Sequence, residues 1–469
     1  MADIKDFIVA IDLGSSKVTA IAGRKQPDGA IEVLAFTQEP SQTFIRKGRI
    51  SNVDKMTQCA KNIKETLEKK LNKRISKAYV GIGGMGMHTV TNTIQRTFSE
   101  KHVISQDIME ALRTENLQKA TSERFILDTV PQEYKVGTQF TNEPVGMLAD
   151  NLEARYLNVV ANSIMSDQIR NCFRAAGIEV AAMPITVLRL ADVMLTETEK
   201  RSGCVFVDMG AETTSVAVFK SNMLRHLAII PLGGANITRD VTSLQIEEDE
   251  AETLKLKWGA AITNGGDNPP IVTSDGREFP YSEFAGLIEA RVEEIVLNIK
   301  NQIELTRYEK NQLVAGIIIT GGASMLKNME SVVSKLVGIE KLRVMKNTRF
   351  SVRGPKNLNV DPVREGDYAA ALALIEQADQ NCCGGEIGGE APELFEPEEP
   401  VAPVISELFV EPTPVQPTPE PIPEPTPEEV EEPEEDDEEP GEDEPKKPNA
   451  FVKGVKSFWE KLAGMVNDD

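Results

Sequence analysis

The chain has 469 residues, with 74 Asp and Glu against 51 Lys and Arg, for a formal net charge of -23. The excess is local: residues 390–445 hold 22 acids and no Lys or Arg, residues 446–469 carry +2, and residues 1–389 hold 46 basic and 49 acidic side chains. With no long basic stretch to neutralise phosphates, a nucleic-acid partner is disfavoured. About 390 near-neutral residues suffice for two to four compact units with substantial cores. The start, Met-Ala-Asp-Ile-Lys-Asp, is charged and the apolar run at 7–11 is short, so no secretory leader is expected. No stretch approaches the ~18 apolar residues of a membrane-spanning helix. Cys59, Cys172, Cys204, Cys382 and Cys383 form no Cys-x-x-Cys, and His88, His102 and His226 are isolated. A cytoplasmic protein with reduced thiols and no structural zinc is the expectation.

Apolar β-branched runs alternate with amphipathic stretches over residues 1–384, which predicts an α/β fold. In chain order, strands are predicted at 7–11 and 18–22, a helix at 54–70 and a strand at 78–82. Residues 84–162 are richer in short strands and Gly/Pro turns, ending in a strand at 157–161, and read as an inserted unit. A helix follows at 166–176, then strands at 203–207 and 215–219, helices at 247–257 and 282–306, a strand at 316–320 and a helix at 367–376.

Beyond Gly384 the character changes. Sixteen prolines lie between Pro392 and Pro448. Low hydrophobicity, high charge and dense proline prevent a packed core, so residues 385–448 are read as a disordered acidic linker. As a flexible coil its 64 residues would span ~45 Å; self-repulsion and proline push it toward a ceiling of ~200 Å. Two apolar pairs, Leu394-Phe395 and Leu408-Phe409, read as short docking motifs or as chance.

Residues 449–469 return to a helical pattern. At 100° per residue, Phe451, Val455, Phe458, Trp459 and Leu462 fall with other apolar side chains on one arc of about 160°. Lys456 and Lys461 flank it. Such a helix docks on a protein core or lies on a membrane. The long linker, the aromatic residues on the apolar face and the flanking lysines favour a membrane surface. Lys446 and Lys447 add attraction to anionic lipid, each worth ~1 kcal/mol near the surface.

Four elements carry chemistry. Asp12-Leu13-Gly14-Ser15-Ser16-Lys17 follows the first apolar strand and precedes the second. The hairpin tip aims backbone N–H groups and hydroxyls at a phosphate, Lys17 adds charge, and Asp12 suits the water shell of Mg²⁺. Alone, Asp-x-Gly marks an ordinary turn. A second copy stands at Asp208-Met209-Gly210-Ala211-Glu212-Thr213, with Asp208 as the matching Mg²⁺ partner through water. A third is the apolar strand ending in Gly321-Gly322-Ala323, where Gly-Gly lets a flat ring approach. The fourth, Glu252 and Lys255, shares one helix face; by itself it is a solvated face, and in this company a grip on ribose hydroxyls.

In this order the four resemble the ATPase superfamily of actin, Hsp70 and sugar kinases, with phosphate-1 at 12–17, phosphate-2 at 208–214 and the adenosine motif at 321–323. The fold implied is actin-like (ribonuclease H-like), two duplicated ATPase domains with an inserted α+β subdomain. The nearer resemblance is to the FtsA family of bacterial cell-division proteins. It is carried by Val130-Pro131-Gln132-Glu133-Tyr134, Pro144-Val145-Gly146-Met147, Leu224-Arg225-His226 with Ile230-Pro231, residues 315–323 and Tyr368-Ala369-Ala370-Ala371. It spans residues 5–376, and the linker plus terminal helix repeats that family's tail plan. It implies a first ATPase domain at 1–83, 163–199 and 349–384, interrupted by the inserted subdomain at 84–162. The second ATPase domain is then 200–234 and 305–348, with an outer lobe at 235–304.

The resemblance implies an ATP- and Mg²⁺-binding protein that polymerises on the inner membrane face. It would bind anionic lipid, tether the C-terminal tail of the tubulin-like protein FtsZ and recruit other division proteins at the septum. Asn236, Asp240, Glu289 and Arg291 match family positions in or beside the groove for that tail, although Ala290 stands where relatives carry Pro. Two departures stand out. Phosphate-2 in relatives is usually Gly-Gly-Gly or Gly-Gly-Ser, whereas here it is Gly210-Ala211-Glu212, and a carboxylate there repels a γ-phosphate unless it faces metal or solvent. The stretch Met183-Pro184-Ile185-Thr186 lacks a carboxylate to orient attacking water, which predicts slow or negligible hydrolysis. No catalytic residue is assigned. A small-molecule kinase of the same superfold is the alternative; it would need a general-base Asp in the cleft and gains nothing from the tail. An Hsp70-like chaperone would need a folded domain after residue 384.

Overall fold

The computed structural model describes residues 6–119, 124–263, 268–346, 348–354 and 368–387. The first apolar run becomes β1 (Ile8–Leu13), and β2 (Lys17–Lys25) and β3 (Ile31–Pro40) continue it as an antiparallel meander. β1 opens with four buried residues in a row, as expected of a strand covered on both faces. A tight hairpin of β4 (Ile45–Arg46) and β5 (Arg49–Ile50) leads to α1 (Val53–Leu71). That helix starts where the Asn52 side chain accepts the N–H of Lys55, and it stops at Asn72, which turns left-handed. Met56, Cys59, Ala60, Ile63 and Leu67 form its buried stripe. After β6 (Lys73–Ile75), β7 (Lys77–Gly81) lies parallel to β1.

Next come β8 (His88–Val103), α2 (Gln106–Gln118), β9 (Arg124–Val136), β10 (Gln139–Thr141) and β11 (Leu148–Asn162). The four strands are antiparallel neighbours, and Ile94, Leu112, Leu152, Ala154 and Tyr156 give them a small core of their own. The chain returns through α3 (Ser163–Ala175), β12 (Glu179–Ala182) parallel to β7, α4 (Thr186–Met194) and α5 (Glu197–Ser202).

A second meander follows: β13 (Cys204–Met209), β14 (Thr214–Lys220) and β15 (Met223–Ile230). Then come α6 (Gly234–Val241), α7 (Glu248–Trp258), β16 (Ile271–Val272), β17 (Glu278–Phe279) and α8 (Tyr281–Leu305). β18 (Gly316–Thr320), α9 (Met329–Val337) and β19 (Leu342–Val344) add two strands parallel to β13. β20 (Val352–Arg353) joins the edge of β3, α10 (Ala369–Gln377) packs on the first sheet, and β21 (Cys383–Glu386) pairs with β6.

The two halves repeat one plan. The order β12-β7-β1-β2-β3 in the first sheet is matched by β19-β18-β13-β14-β15 in the second, each an antiparallel meander extended by two parallel strands. This is the duplicated arrangement the motifs imply, with each Asp-x-Gly loop at the turn between the first two strands of its copy. The small alanines of α10 lie against the first sheet, while Phe284, Ile288, Val292, Ile295 and Ile299 of α8 fill the second core. The inserted strands extend the second sheet, since β8 abuts β15 at Ala228 and His88.

Several boundaries move for identifiable reasons. The strand predicted at 157–161 is the end of a fifteen-residue strand, whose earlier half carries exposed Asn151 and Arg155 on its open face. The helix predicted from 166 starts at Ser163, because Asn162 caps it by accepting the N–H of Ile164. Gly385 and Glu386, expected in the linker, belong instead to β21, and Glu386 pairs with Lys73 at 3.1 Å; residues 388–448 of the expected linker lie outside the described residues. The terminal amphipathic segment, with Phe451, Val455, Lys456, Phe458, Trp459, Lys461 and Leu462, and both Leu-Phe pairs lie outside the described residues.

Candidate functional site

Asp12 and Asp208 occupy equivalent places near the ends of β1 and β13. Both are only partly exposed. Burial raises the Asp12 carboxyl to about 7; the charge of Asp208 adds to this, while the Thr186 hydrogen bond and Lys17 oppose it. Burial likewise raises Asp208 to about 6. The structure thus brings the two carboxylates within electrostatic reach of each other, a pair that a cation would relieve. Among the described residues no group of three or more His, Cys, Asp or Glu side chains converges as a direct metal site. Two carboxylates facing one space suit an ion held through its water shell, as Mg²⁺ prefers.

The loops beyond these carboxylates are held from behind. In the first, Ser41 donates its hydroxyl to the carbonyl of Gly14 at 2.6 Å and its N–H to that of Ser16 at 3.1 Å. In the second, the carbonyls of Gly210 and Ala211 accept the N–H groups of Gly234 and Ala235 at 3.0 and 2.7 Å. Among the described residues, the N–H groups of Gly14, Ser15, Ser16, Ala211, Glu212 and Thr213 find no protein acceptor. Two turns with fixed carbonyls and available N–H groups have the geometry that can hold an anion.

Gly321 closes the floor. Its φ is 90°, and a β-carbon there would fall 2.5 Å from both Asp208 Oδ1 and the carbonyl of Met209. A side chain on the next residue, Gly322, would meet nothing within 4 Å, so this glycine borders open space suited to a flat ring. Residues 322–325 form a single 3-10 turn, and α9 follows from Met329. Ala323 packs beside Gly234.

Glu252 and Lys255 are not a solvated face. Lys255 is 8% exposed; its Nζ donates to Glu252 Oε2 at 2.6 Å, Thr238 Oγ1 at 2.8 Å and the carbonyl of Gly234 at 3.1 Å. The pair is locked to α6 at the edge of the second loop.

Glu212 faces neither solvent nor another carboxylate. It is 8% exposed, and its carboxylate accepts the N–H of Lys47 at 2.6 Å and Arg46 Nη1 at 3.1 Å, with Arg239 Nη2 at 3.7 Å. The repulsion expected from a carboxylate in this loop is therefore met by the β4–β5 hairpin. The sequence does not single out that hairpin, and it offers Thr186, whose hydroxyl donates to Asp12 Oδ1 at 3.2 Å, only as the end of a stretch without a carboxylate. The only signal for Arg46 and Lys47 was the pair Lys47-Gly48 between two apolar residues, Ile45 and Ile50.

The remaining candidates divide. Asp240 and Arg291 meet, Nε to Oδ2 at 2.5 Å and Nη2 to Oδ1 at 3.0 Å, which joins α6 to α8. Asn236 is engaged at the start of α6, accepting the N–H of Gly233 at 3.0 Å. Glu289 lies about 200° from Arg291 around α8. It accepts the N–H and hydroxyl of Thr263 at 2.6 and 2.7 Å and borders an open cavity of about 790 Å³ with Phe279, Pro280 and Tyr281.

The family model for cell division protein FtsA matches residues 205–373, and that for the SHS2 domain inserted in FtsA matches residues 84–160. Cell division protein FtsA of Porphyromonas gingivalis is 30% identical over 347 residues, covering 72% of this chain and 72% of its own. The FtsA proteins of Pseudomonas aeruginosa and Bacillus subtilis are 28% and 27% identical, covering 86% and 83% of this chain and 96% and 87% of theirs. Among solved structures, a PilM-PilN type IV pilus biogenesis complex superposes with a TM-score of 0.53 at 16% identity, over 78% of this chain and 97% of that one.

Proposed function

This chain belongs to the FtsA family of cell division proteins, and from that premise we propose that it is an ATP-binding, actin-like scaffold that tethers FtsZ to the membrane. The observation that carries the nucleotide part is the convergence of two equivalent Asp-x-Gly loops and the Gly321-Gly322 floor around one space. Asp12 and Asp208 would hold Mg²⁺ through water, and the N–H groups of 14–16 and 211–213 would hold phosphates. Gly322 would lie against the base, with Glu252 and Lys255 beside the ribose. When bound, Mg-ATP supplies a γ-phosphate whose presence or loss distinguishes two states of the cleft. The protein's own groups position rather than react: Thr186 orients Asp12, and residues 183–186 carry no carboxylate for activating water. Turnover well below ~1 per second is expected.

Within this reading the body divides as the resemblance implies, with an inserted subdomain at 84–162 and an outer lobe at 235–304 whose α6–α8 side, with Asn236, Asp240 and Arg291, receives the FtsZ tail; Glu289, on the far side of α8 from Arg291, borders the neighbouring cavity instead. No helix among the described residues is long and apolar enough to cross a membrane, so attachment is assigned to the amphipathic segment 449–469. Filament formation multiplies many weak anchors into stable attachment. The acidic spacer, repelled by anionic lipid, keeps the body clear of the bilayer.

Co-sedimentation of the full chain with phosphatidylglycerol-containing vesicles, with and without Mg-ATP and an FtsZ-tail peptide, tests this. Protein and peptide should pellet together, and both should stay soluble when residues 449–469 are removed or Phe458 and Trp459 are changed to Glu. A wild-type chain that remains in the supernatant under every condition behaves as the soluble kinase would and sinks the tether.

A further inference from the structure

The hairpin between β4 and β5 turns through Lys47 and Gly48, both at positive φ (50° and 71°), the turn geometry that matches a tight hairpin's twist. This turn touches three parts of the molecule. The N–H of Gly48 donates to Ser15 Oγ in the first loop at 2.9 Å. The N–H of Lys47 donates to Glu212 in the second loop at 2.6 Å. The carbonyl of Lys47 accepts the N–H of Met85, at the threshold of the inserted subdomain, at 2.9 Å. Gly48 lies so near this segment that a β-carbon on it would sit 2.6 Å from Gly84 Cα.

The path continues. The carbonyl of Met87 accepts the N–H of Ile229 at 3.2 Å, and the next residue, Ile230, pairs with Thr214, two residues after Glu212. The bonds close a ring through Glu212, Lys47, Met85, Met87, Ile229 and Thr214. Every link in it is main chain to main chain except the one Glu212 makes. Beside the ring, Thr89 Oγ1 accepts the N–H of Leu227 at 3.0 Å, and Gln132 joins the carbonyl of Leu224 at 3.0 Å to Arg225 Nη1 at 2.8 Å.

We propose that Glu212 couples the second phosphate loop to the inserted subdomain, through the turn at 46–49 and Met85. A buried carboxylate cannot cheaply give up its donors, so the turn follows the loop that carries Glu212. A phosphate drawn to the N–H groups of 211–213 shifts that loop, and the ring carries the shift to β8. The trigger rests on the nucleotide reading above; the mechanical link does not.

Amide hydrogen exchange on the full chain separates the two. Without nucleotide, Glu212→Gly should raise exchange in residues 44–50 and 84–90 together by about tenfold, and Glu212→Gln by less, while 205–208 in β13 stays protected. A rise confined to 44–50, or no rise, overturns the coupling. If Glu212→Gly also loosens 205–208, the near-isosteric Glu212→Gln decides by the same criteria. In the wild type, Mg-ATPγS should alter exchange at 12–17 and at 84–90. A change at 12–17 without one at 84–90 overturns the coupling; no change at 12–17 overturns the nucleotide reading instead, and the variants still decide the link.

Discussion

Arg291 grips Asp240 with two parallel hydrogen bonds, Nε to Oδ2 at 2.5 Å and Nη2 to Oδ1 at 3.0 Å, tying α8 to α6. Glu294 lies on the other side of the same guanidinium. The Arg291 side chain is 25% exposed and that of Asp240 27%, so solvent weakens the pair without cancelling it. Arg291→Glu places a third carboxylate among two and should cost about 1–3 kcal/mol. Asp240→Asn should cost less but leaves the guanidinium available. Both variants should therefore melt earlier than the wild type. If this face receives the FtsZ tail, only Arg291→Glu should abolish peptide binding in a fluorescence-anisotropy titration. Equal loss in both would reduce Arg291 to a structural residue.

Two adjacent glycines should fail differently. At Gly321 a β-carbon would strike Asp208 Oδ1 and the Met209 carbonyl, and the backbone is at φ 90°. Gly321→Ala should destabilise the fold by about 2–4 kcal/mol, visible as a lower denaturation midpoint. Gly322→Ala meets nothing within 4 Å. It should fold with a nearly unchanged midpoint and yet bind a fluorescent ATP analogue several-fold more weakly. Unchanged binding would move the base away from Gly322.

The contrast also shows what the sequence makes legible. Asp12 and Asp208 were recognisable because each ends an apolar strand and is followed by Gly two residues later, a local pattern that survives without tertiary knowledge. The repeated strand order follows from that duplication. Glu212 was recognisable as anomalous but not as partnered, because Arg46 and Lys47 are some 165 residues away in the chain. Glu252 and Lys255 have the spacing of a solvated pair, and only the docking of α7 on α6 buries the lysine. Only five residues of the long β11 stand out in the sequence, because one face of its outer half is exposed and the polar positions there break the apolar run. Local chemistry was readable; what each side chain meets across the fold was not.

The raised carboxylates predict how metal and pH act on nucleotide binding. With Asp12 near 7 and Asp208 near 6, acidification protonates groups that a cation would need ionised. Affinity for a fluorescent Mg-ATP analogue should rise from pH 5.5 to about 8, above the Asp12 value, and then level. Chelating Mg²⁺ at pH 8 should weaken binding by about tenfold or more, and Asp208→Asn should shrink that chelation effect. A wild type indifferent to both pH and chelator would contradict the cation's assignment to this pair.

His226 gives a separate pH dependence, in stability. It sits on β15 with Nε2 3.1 Å from Gln302 Oε1 on α8. Burial lowers its proton affinity below the ordinary imidazole value; the Gln302 hydrogen bond acts the other way, and His88 adds a like charge. A histidine whose folded value lies below 6.5 takes up its proton more readily in the unfolded chain. The folded state therefore has its full advantage above pH 6.5 and loses it as pH falls through and below that value. Melting temperatures at pH 8 and pH 5 should show wild-type destabilisation on acidification, and His226→Gln should show a smaller drop over the same interval. The substitution removes one titrating group and leaves other acid-sensitive pairs in place, so a residual slope is expected. An unchanged slope would mean that His226 protonates in the folded chain as easily as in the unfolded one, and that the contact with Gln302 leaves room for the charge.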